Sequence, residues 1–411
     1  MQSNRLTLIW HLIIPVNLPL LRRLIPSPGA YVRLRYPLLT FCLIGCLLLS
    51  APGCKQSYTA PAQKTNINLL VVDGMLNSKA GSASTIRLSR TQKIGDSTGA
   101  YTPELQAQLT ILGSAGDAYP FQEQGNGVYM TATLSINPAE KYQLQIMTHN
   151  GSKYLSDPVP VLSSPPIDSL NWGPKDSTDK VTVSVNTHDP ANNSHYYYWT
   201  FAETWEYHAV ENAELGLQNG LIVYTDSTNQ TYACWTTHNS TGILLGNTTN
   251  LGEDRISQAP LITISEDDQR LSVRYSILVS QSLLTQPAYQ YWLILQKNTQ
   301  NLGTLFDPQP SQLSGNYHCL TDPNEPVIGY LSAGTIQQQR LFIPGMQPRD
   351  TVTPDCSNVV IGTNQNNWQI YNYPDASYGP YYFTGMSTVL SKKTCLDCRL
   401  HGGTNQKPTF W

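Results

Sequence analysis

From Lys64 onwards the chain is written in short alternating runs, and that period decides what it can become. INLLVVDGML, STIRLSRT, LQAQLTILG, GNGVYMTATL, KYQLQIMTHNG and SKYLSDPVPV follow one another to about Pro160, divided by turns such as Asn126-Gly127 and Asn150-Gly151. Alternation puts every second side chain on one face, so each run has one apolar face to bury, and none carries a helical period of useful length. About six short strands in about a hundred residues predict a small immunoglobulin-like β-sandwich over residues 64–162.

Ser163-Ser164-Pro165-Pro166-Ile167-Asp168-Ser169 then reads as a stiff turn, because neither proline donates to a ladder. Beyond it DKVTVSVNTHD, the aromatic run HYYYWTFAETWEYHA, LIVYTD, TYACWTTH and ITISEDDQRLSVRYSILVS supply strands for a larger β-sandwich over residues 163–411. One stretch breaks the pattern. Thr285 is placed as an N-cap, Pro287 falls in a first turn, and Ala288, Trp292 and Leu295 recur at helical spacing, which predicts a single packed helix with Trp292 as core. The last fifty or so residues are rich in Tyr, Asn, Gly and Pro and suit a disulfide-held surface cap. The fold class expected is mainly β, two sandwiches with one helix.

Ahead of all this lies Tyr36–Cys54, uncharged, preceded by Arg33 and Arg35 and ending in Ala-Pro-Gly-Cys. A positive flank, an apolar run too short for a span and a small residue before cysteine read as a secretory signal closing on a lipid-modified cysteine. Cys54 is the expected lipid site, with Cys46 in Leu43-Ile44-Gly45-Cys46 competing. Residues 1–53 are then a pre-sequence, and 54–63 a polar tether that holds the domain off a bilayer. A start downstream of Met1, near Val32 or Leu34, would give a signal of ordinary length.

Removing residues 1–53 takes five arginines and no acids, so 25 basic and 28 acidic side chains become 20 and 28, a formal charge of −8. A surface of that sign repels polyanions, and nucleic acid is not an expected partner. Cys234, Cys319, Cys356, Cys395 and Cys398 remain as thiols, and an oxidising compartment pairs up to four of them. Cys319, Cys356, Cys395 and Cys398 are the candidate disulfide set, with bonds expected from Cys319 or Cys356 to the Cys395/Cys398 pair. Zinc at Cys395-Leu-Asp-Cys398 would need two more ligands from His318, Cys319, Cys356 and His401, so structural disulfides are the simpler reading.

No HExxH or glycine-rich phosphate loop occurs. Glu203 and Glu206 lie three apart, which puts them on opposite faces of a strand and unfits them for work as a carboxylate pair. Glu266-Asp267-Asp268 reads as an exposed turn. No cofactor, metal site or catalytic set is expected.

LLVVDGML, YLSDPVPVLSSPPIDSL, YYYWTFAETWEY, Cys234-Trp235, AYQYW, NLGTLFDPQPSQLSGN, PVIGYLSAG and CLDCRLHGGTNQKPTFW together resemble the Bacteroidota lipoproteins grouped as domain of unknown function 4249. The resemblance implies an outer-membrane lipoprotein facing outward, commonly encoded beside a TonB-dependent transporter, with no assigned catalytic residues. The expected function is accordingly a non-catalytic accessory or binding subunit of such a β-barrel transporter, anchored to the membrane by its lipid. A cell-envelope scaffold and an extracytoplasmic hydrolase are the alternatives. Tyr378, Tyr381 and Tyr382 are the expected interface, since tyrosine offers apolar area with a polar tip.

Overall fold

The computed structural model describes residues 68–92, 101–174, 180–219, 221–300, 315–346, 355–361, 377–385 and 387–411, all within one compact unit, Asn66–Trp411. Cys54 with its signal and tether lies outside the described residues, as does most of NLGTLFDPQPSQLSGN. The described chain is mainly β, arranged in several sheets with a sandwich-like build.

The opening strand, Leu70–Asn77, pairs antiparallel with Thr85–Arg90, and the ladder continues through Val128–Thr131, Ala118–Gly125, Gln108–Gly113, Lys141–Met147 and Lys153–Ser156. Inward positions are apolar: Leu70, Ile86, Leu88, Ile111, Leu144 and Ile146 are fully buried in one core. Asn126-Gly127 makes the two-residue turn the sequence predicts, with both residues at positive φ, and a side chain on Gly127 would collide with the Leu88 carbonyl. Ala118–Gly125 was not expected as a strand, because Pro120 interrupts it and almost none of it is buried.

A distant part of the chain completes this sheet. Tyr317–Cys319 pairs with Lys153–Ser156, and Ala333–Gly334 lies parallel between the opening strand and Val159–Leu162. Because Tyr142 also pairs with Val159, the ladder closes on itself, and the two faces of the first module join at both ends. Residues 316–334 therefore belong with the first module, although they fall inside the 163–411 stretch assigned to the second. Gly329 makes the seam possible: its φ is +142° and a side chain there would strike the Val72 carbonyl.

The second module packs a three-stranded sheet, Ile167–Pro174, Lys180–His188 and Arg255–Ser265, on a five-stranded one. The latter is built on the aromatic strand Tyr196–His208 and its neighbours Arg274–Leu283, Ala233–Asn239 and Leu244–Asn247, with Gln337–Pro344 added beyond Arg274–Leu283. Odd positions of the aromatic strand, Tyr197, Trp199, Phe201, Trp205 and Tyr207, fill the core with Val181, Val183, Val185, Ile277 and Val279. Even positions face outward. The helix Gln286–Gln300 lies on that outer face, capped by Thr285 as expected, with Tyr196 against Tyr289 and Tyr198 against Trp292 at 4.9 and 5.1 Å between ring centres.

The carboxyl-terminal part forms a small sheet, Val359–Ile361, Ser387–Lys392 and Tyr378–Thr384. Disulfides join Cys356 to Cys395 and Cys234 to Cys398. The first bond is of the expected kind. The second corrects the candidate set: Cys234, not Cys319, supplies the fourth sulfur, because the Cys234 strand lies beneath the Cys398 turn. Cys319 is a free thiol, buried in the first module and held by the Asp322 backbone N–H at 3.3 Å. The chain then runs over the five-stranded sheet, where Arg340 lies 3.6 Å from the Phe410 ring centre and Trp411 donates to Glu206 at 2.9 Å.

A cleft between the outer strands

Where the outer face of the opening strand meets the outer face of the five-stranded sheet, the facing side chains are small. Gly74, Ala83, Thr200, Ser280, Ser282 and Ser332 do not fill the space, and a half-enclosed cavity of about 300 Å³ remains. Its other walls are aromatic and polar: Tyr198 from the aromatic strand, Trp292 from the helix, Tyr330 from the returning segment, and Asn77 and Gln338. Asp73, on the outward register of the opening strand, is the one carboxylate in the lining.

Several polar groups around the cleft are already engaged. Gln338 donates to Ser280 at 2.9 Å, the Asn77 amide oxygen accepts from the Lys79 backbone at 3.0 Å, and the Tyr330 hydroxyl is bonded to Thr285. Asp73 is different. Its cross-strand neighbour Arg87 instead bonds the Tyr101 hydroxyl at 3.3 Å, and among the described residues no cationic side chain comes within ion-pair distance of Asp73. Its carboxylate takes only the Gly74 backbone N–H and the longer-range attraction of Arg87. Surrounding protein outweighs both and raises its pKa above the ordinary carboxylate value, even though one face stays open to solvent. Burial, with the Asp73 charge second, pushes Tyr198 up to about 12, so its ring carries a neutral phenol throughout the physiological range.

The larger hollow near Arg90 has no such unpaired carboxylate. Arg90 binds Glu104 at 2.6 Å and lies 3.6 Å from Glu325, which accepts from Tyr154 at 2.8 Å, so its charges are mutually satisfied.

The residues singled out in the sequence lie elsewhere. Glu203 and Glu206 are on opposite faces as expected: Glu203 is buried against Arg270 at 3.2 Å and accepts from Tyr275 at 2.9 Å, while Glu206 meets His208 and Trp411. Asp268 does more than sit in a turn. It caps the short 3₁₀ turn Gln269–Leu271 and pairs with Arg270 at 2.8 Å. His318 pairs with Asp157 and His401 with the Thr394 carbonyl, and no cluster of metal-ligating residues forms among the described residues. Tyr381 and Tyr382 are half-buried edge to face in the cap, and the Tyr378 hydroxyl meets Ser357. The more open aromatic pair beside them is Tyr224, 71% exposed, with Phe383.

A family model described as "Domain of unknown function (DUF4249)" matches residues 55–340. The chain belongs to the DUF4249 family. The match spans both modules and includes the returning segment and the cleft. A search of curated proteins gave no match. Among solved structures, the chain is similar at TM-score 0.17 to the chitinase ChiA74 from Bacillus thuringiensis, with 11% identity over 49% of this chain. It is similar at the same TM-score to the native conformation of E. coli alpha-2-macroglobulin, with 13% identity over 54%. The matches span only 27% and 13% of those two chains.

Within LLVVDGML, Asp73 carries one local signal, a lone acid in an apolar strand next to a glycine. What gives it meaning is the wall contributed by Trp292 and Tyr330, which depends on contacts between residues far apart in the chain.

Proposed function

We propose that this protein is a lipid-anchored, non-catalytic binding subunit of the outer membrane, working beside a TonB-dependent β-barrel transporter, with the cleft beneath the helix as its ligand site. The observation that carries the reading is the state of that cleft. Its walls are aromatic rings with hydroxyls and amides among them, and its single carboxylate lacks a cationic partner. A recognition pocket is built in this way, from mostly apolar lining with a few convergent polar groups. General acid–base catalysis works best with a group that titrates near the working pH, and beside Asp73 the lining supplies only phenols, that of Tyr198 pushed up to about 12. The apolar run ending at Cys54 and the polar tether after it support the anchor.

The test is mild detergent extraction of native membranes followed by affinity purification of the protein at its natural level. Recovery of a β-barrel transporter in stoichiometric amount is expected. Recovery of the protein alone, even after cross-linking, would remove the transporter from the proposal. Mass spectrometry of the extracted protein should show an acylated amino-terminal Cys54; a chain beginning at Cys46 would move the anchor.

A further inference from the structure

We infer that the Asp73 cleft takes a small organic cation, a protonated amine or an alkylated ammonium. The inference rests on the cleft being a ligand site and adds the chemical class. Three features of the lining point the same way. The first is a carboxylate that no cationic side chain neutralises, since Arg87 is turned to Tyr101, 5.4 Å from the ring centre. The second is the set of rings, Tyr198, Trp292 and Tyr330, each with negative charge on its face and each bordering the same space. The third is size: about 300 Å³ is at the small end of ligand pockets, enough for one compact group and too little for an extended chain of sugars.

The alternatives fit less well. An alkali cation would have to shed tightly held water, and rings replace that water poorly. An anion would face Asp73 with no arginine or lysine in the lining to receive it. A neutral ligand would leave the carboxylate unpaired while covering it from solvent, at the full cost of its lost hydration. A cation reverses that cost, because the burial that raises the Asp73 pKa also strengthens its attraction for a positive charge. The titratable groups that feel the charge of Asp73 are Arg87 on the neighbouring strand, Tyr198 on the aromatic strand, Tyr291 on the helix and Tyr317 on the returning segment, so the carboxylate and Arg87 alone carry charge at neutral pH.

The full-length protein in mild detergent is titrated by calorimetry, and by tryptophan fluorescence to report Trp292. The probes are choline, its neutral isostere 3,3-dimethylbutan-1-ol, n-butylamine and a lysine blocked at both backbone ends. Cationic probes should bind about ten-fold or more tightly than the neutral isostere. Asp73→Asn should bring choline down to the level of the isostere, while Trp292→Leu, which keeps an apolar wall and removes the ring, should weaken choline and leave the isostere unchanged. Preference for blocked lysine would identify the source as a side chain of another polypeptide, and preference for choline or butylamine a free solute. Equal binding of choline and the isostere, or indifference to Asp73→Asn, would overturn the cation class and leave the cleft as a ligand site. Absence of binding by every probe at millimolar concentration would overturn the cation class as well, and a transporter captured with the Asp73→Asn protein would then show that the accessory role stands apart from the cleft.

Discussion

Gln281 is fully buried, and its amide holds three parts of the chain together. Its oxygen accepts from the Trp199 indole at 2.9 Å, and its nitrogen donates to the Pro165 carbonyl at 2.9 Å and the Thr187 hydroxyl at 3.1 Å. The prolines between the modules are thereby fixed to the second core. Gln281→Leu strands the indole N–H away from water, at about 1–3 kcal/mol, and leaves the Pro165 carbonyl only the Ser164 hydroxyl at 3.3 Å. Urea denaturation should register a loss of about 3 kcal/mol, and a loss below about 1 kcal/mol would mean that water replaces the amide. Gln281 stands one residue beyond the end of the run SVRYSILVS, and its inward register was invisible without the strand's true length. Asp73 behaves in the opposite sense. A carboxyl whose pKa is raised on folding stabilises the fold at low pH, and that stabilisation is lost as pH rises through the raised value. Asp73→Asn should therefore raise the melting temperature at neutral pH, with the gap closing as pH falls through the carboxylate range. Asp268, held below its ordinary value by hydrogen bonding to Arg270, stabilises above the ordinary carboxylate value, and its contribution is lost as pH falls through the lowered one.

Among the elements, the helix was the most legible, since Thr285, Pro287 and the spacing of Ala288 and Trp292 set its start and its inner face. The cap was half legible. Its cysteines announced disulfides, but nothing local linked Cys234 to Cys398 across 164 positions. That bond depends on the strand Ala233–Asn239 lying under the turn, where the Cys398 N–H also meets the Thr231 carbonyl and Tyr207 reaches the Cys398 carbonyl. Peptide mapping without reductant should find Cys234–Cys398 and Cys356–Cys395, with Cys319 alkylated only after unfolding. By chain entropy, closing 39 residues contributes about 4 kcal/mol and closing 164 about 5 kcal/mol. Cys356→Ser with Cys395→Ser should loosen the small sheet first, seen as faster hydrogen exchange at Ser387–Lys392, whereas Cys234→Ser with Cys398→Ser should lower the melting temperature of the whole second module. Exchange unchanged in the first pair would show that the cap holds without its bond.

On the scale of the whole molecule, the alternation that predicted β-sheet said nothing about which strands meet. Parallel pairing of Ala333–Gly334 with the opening strand involves two residues, too few to register as a pattern. Yet it sits between Leu70–Asn77 and Val159–Leu162, and Tyr154 bonds Glu325 across 171 positions. A fragment of residues 64–162 would present both strands as open edges, a template for pairing with other copies. It should aggregate or stay unfolded by circular dichroism and size exclusion, and joining residues 315–336 to it through a flexible linker should restore a monomer. A folded monomer from 64–162 alone would show the seam to be dispensable. The same seam sets an order in time. As the chain emerges from its amino end, the first module stays unfinished until Gly334 has been made, after much of the second has had time to form. Whatever escorts the growing chain must keep the edge of Leu70–Asn77 unpaired through that interval, and a premature stop anywhere between 163 and 332 damages the module that was synthesised before it.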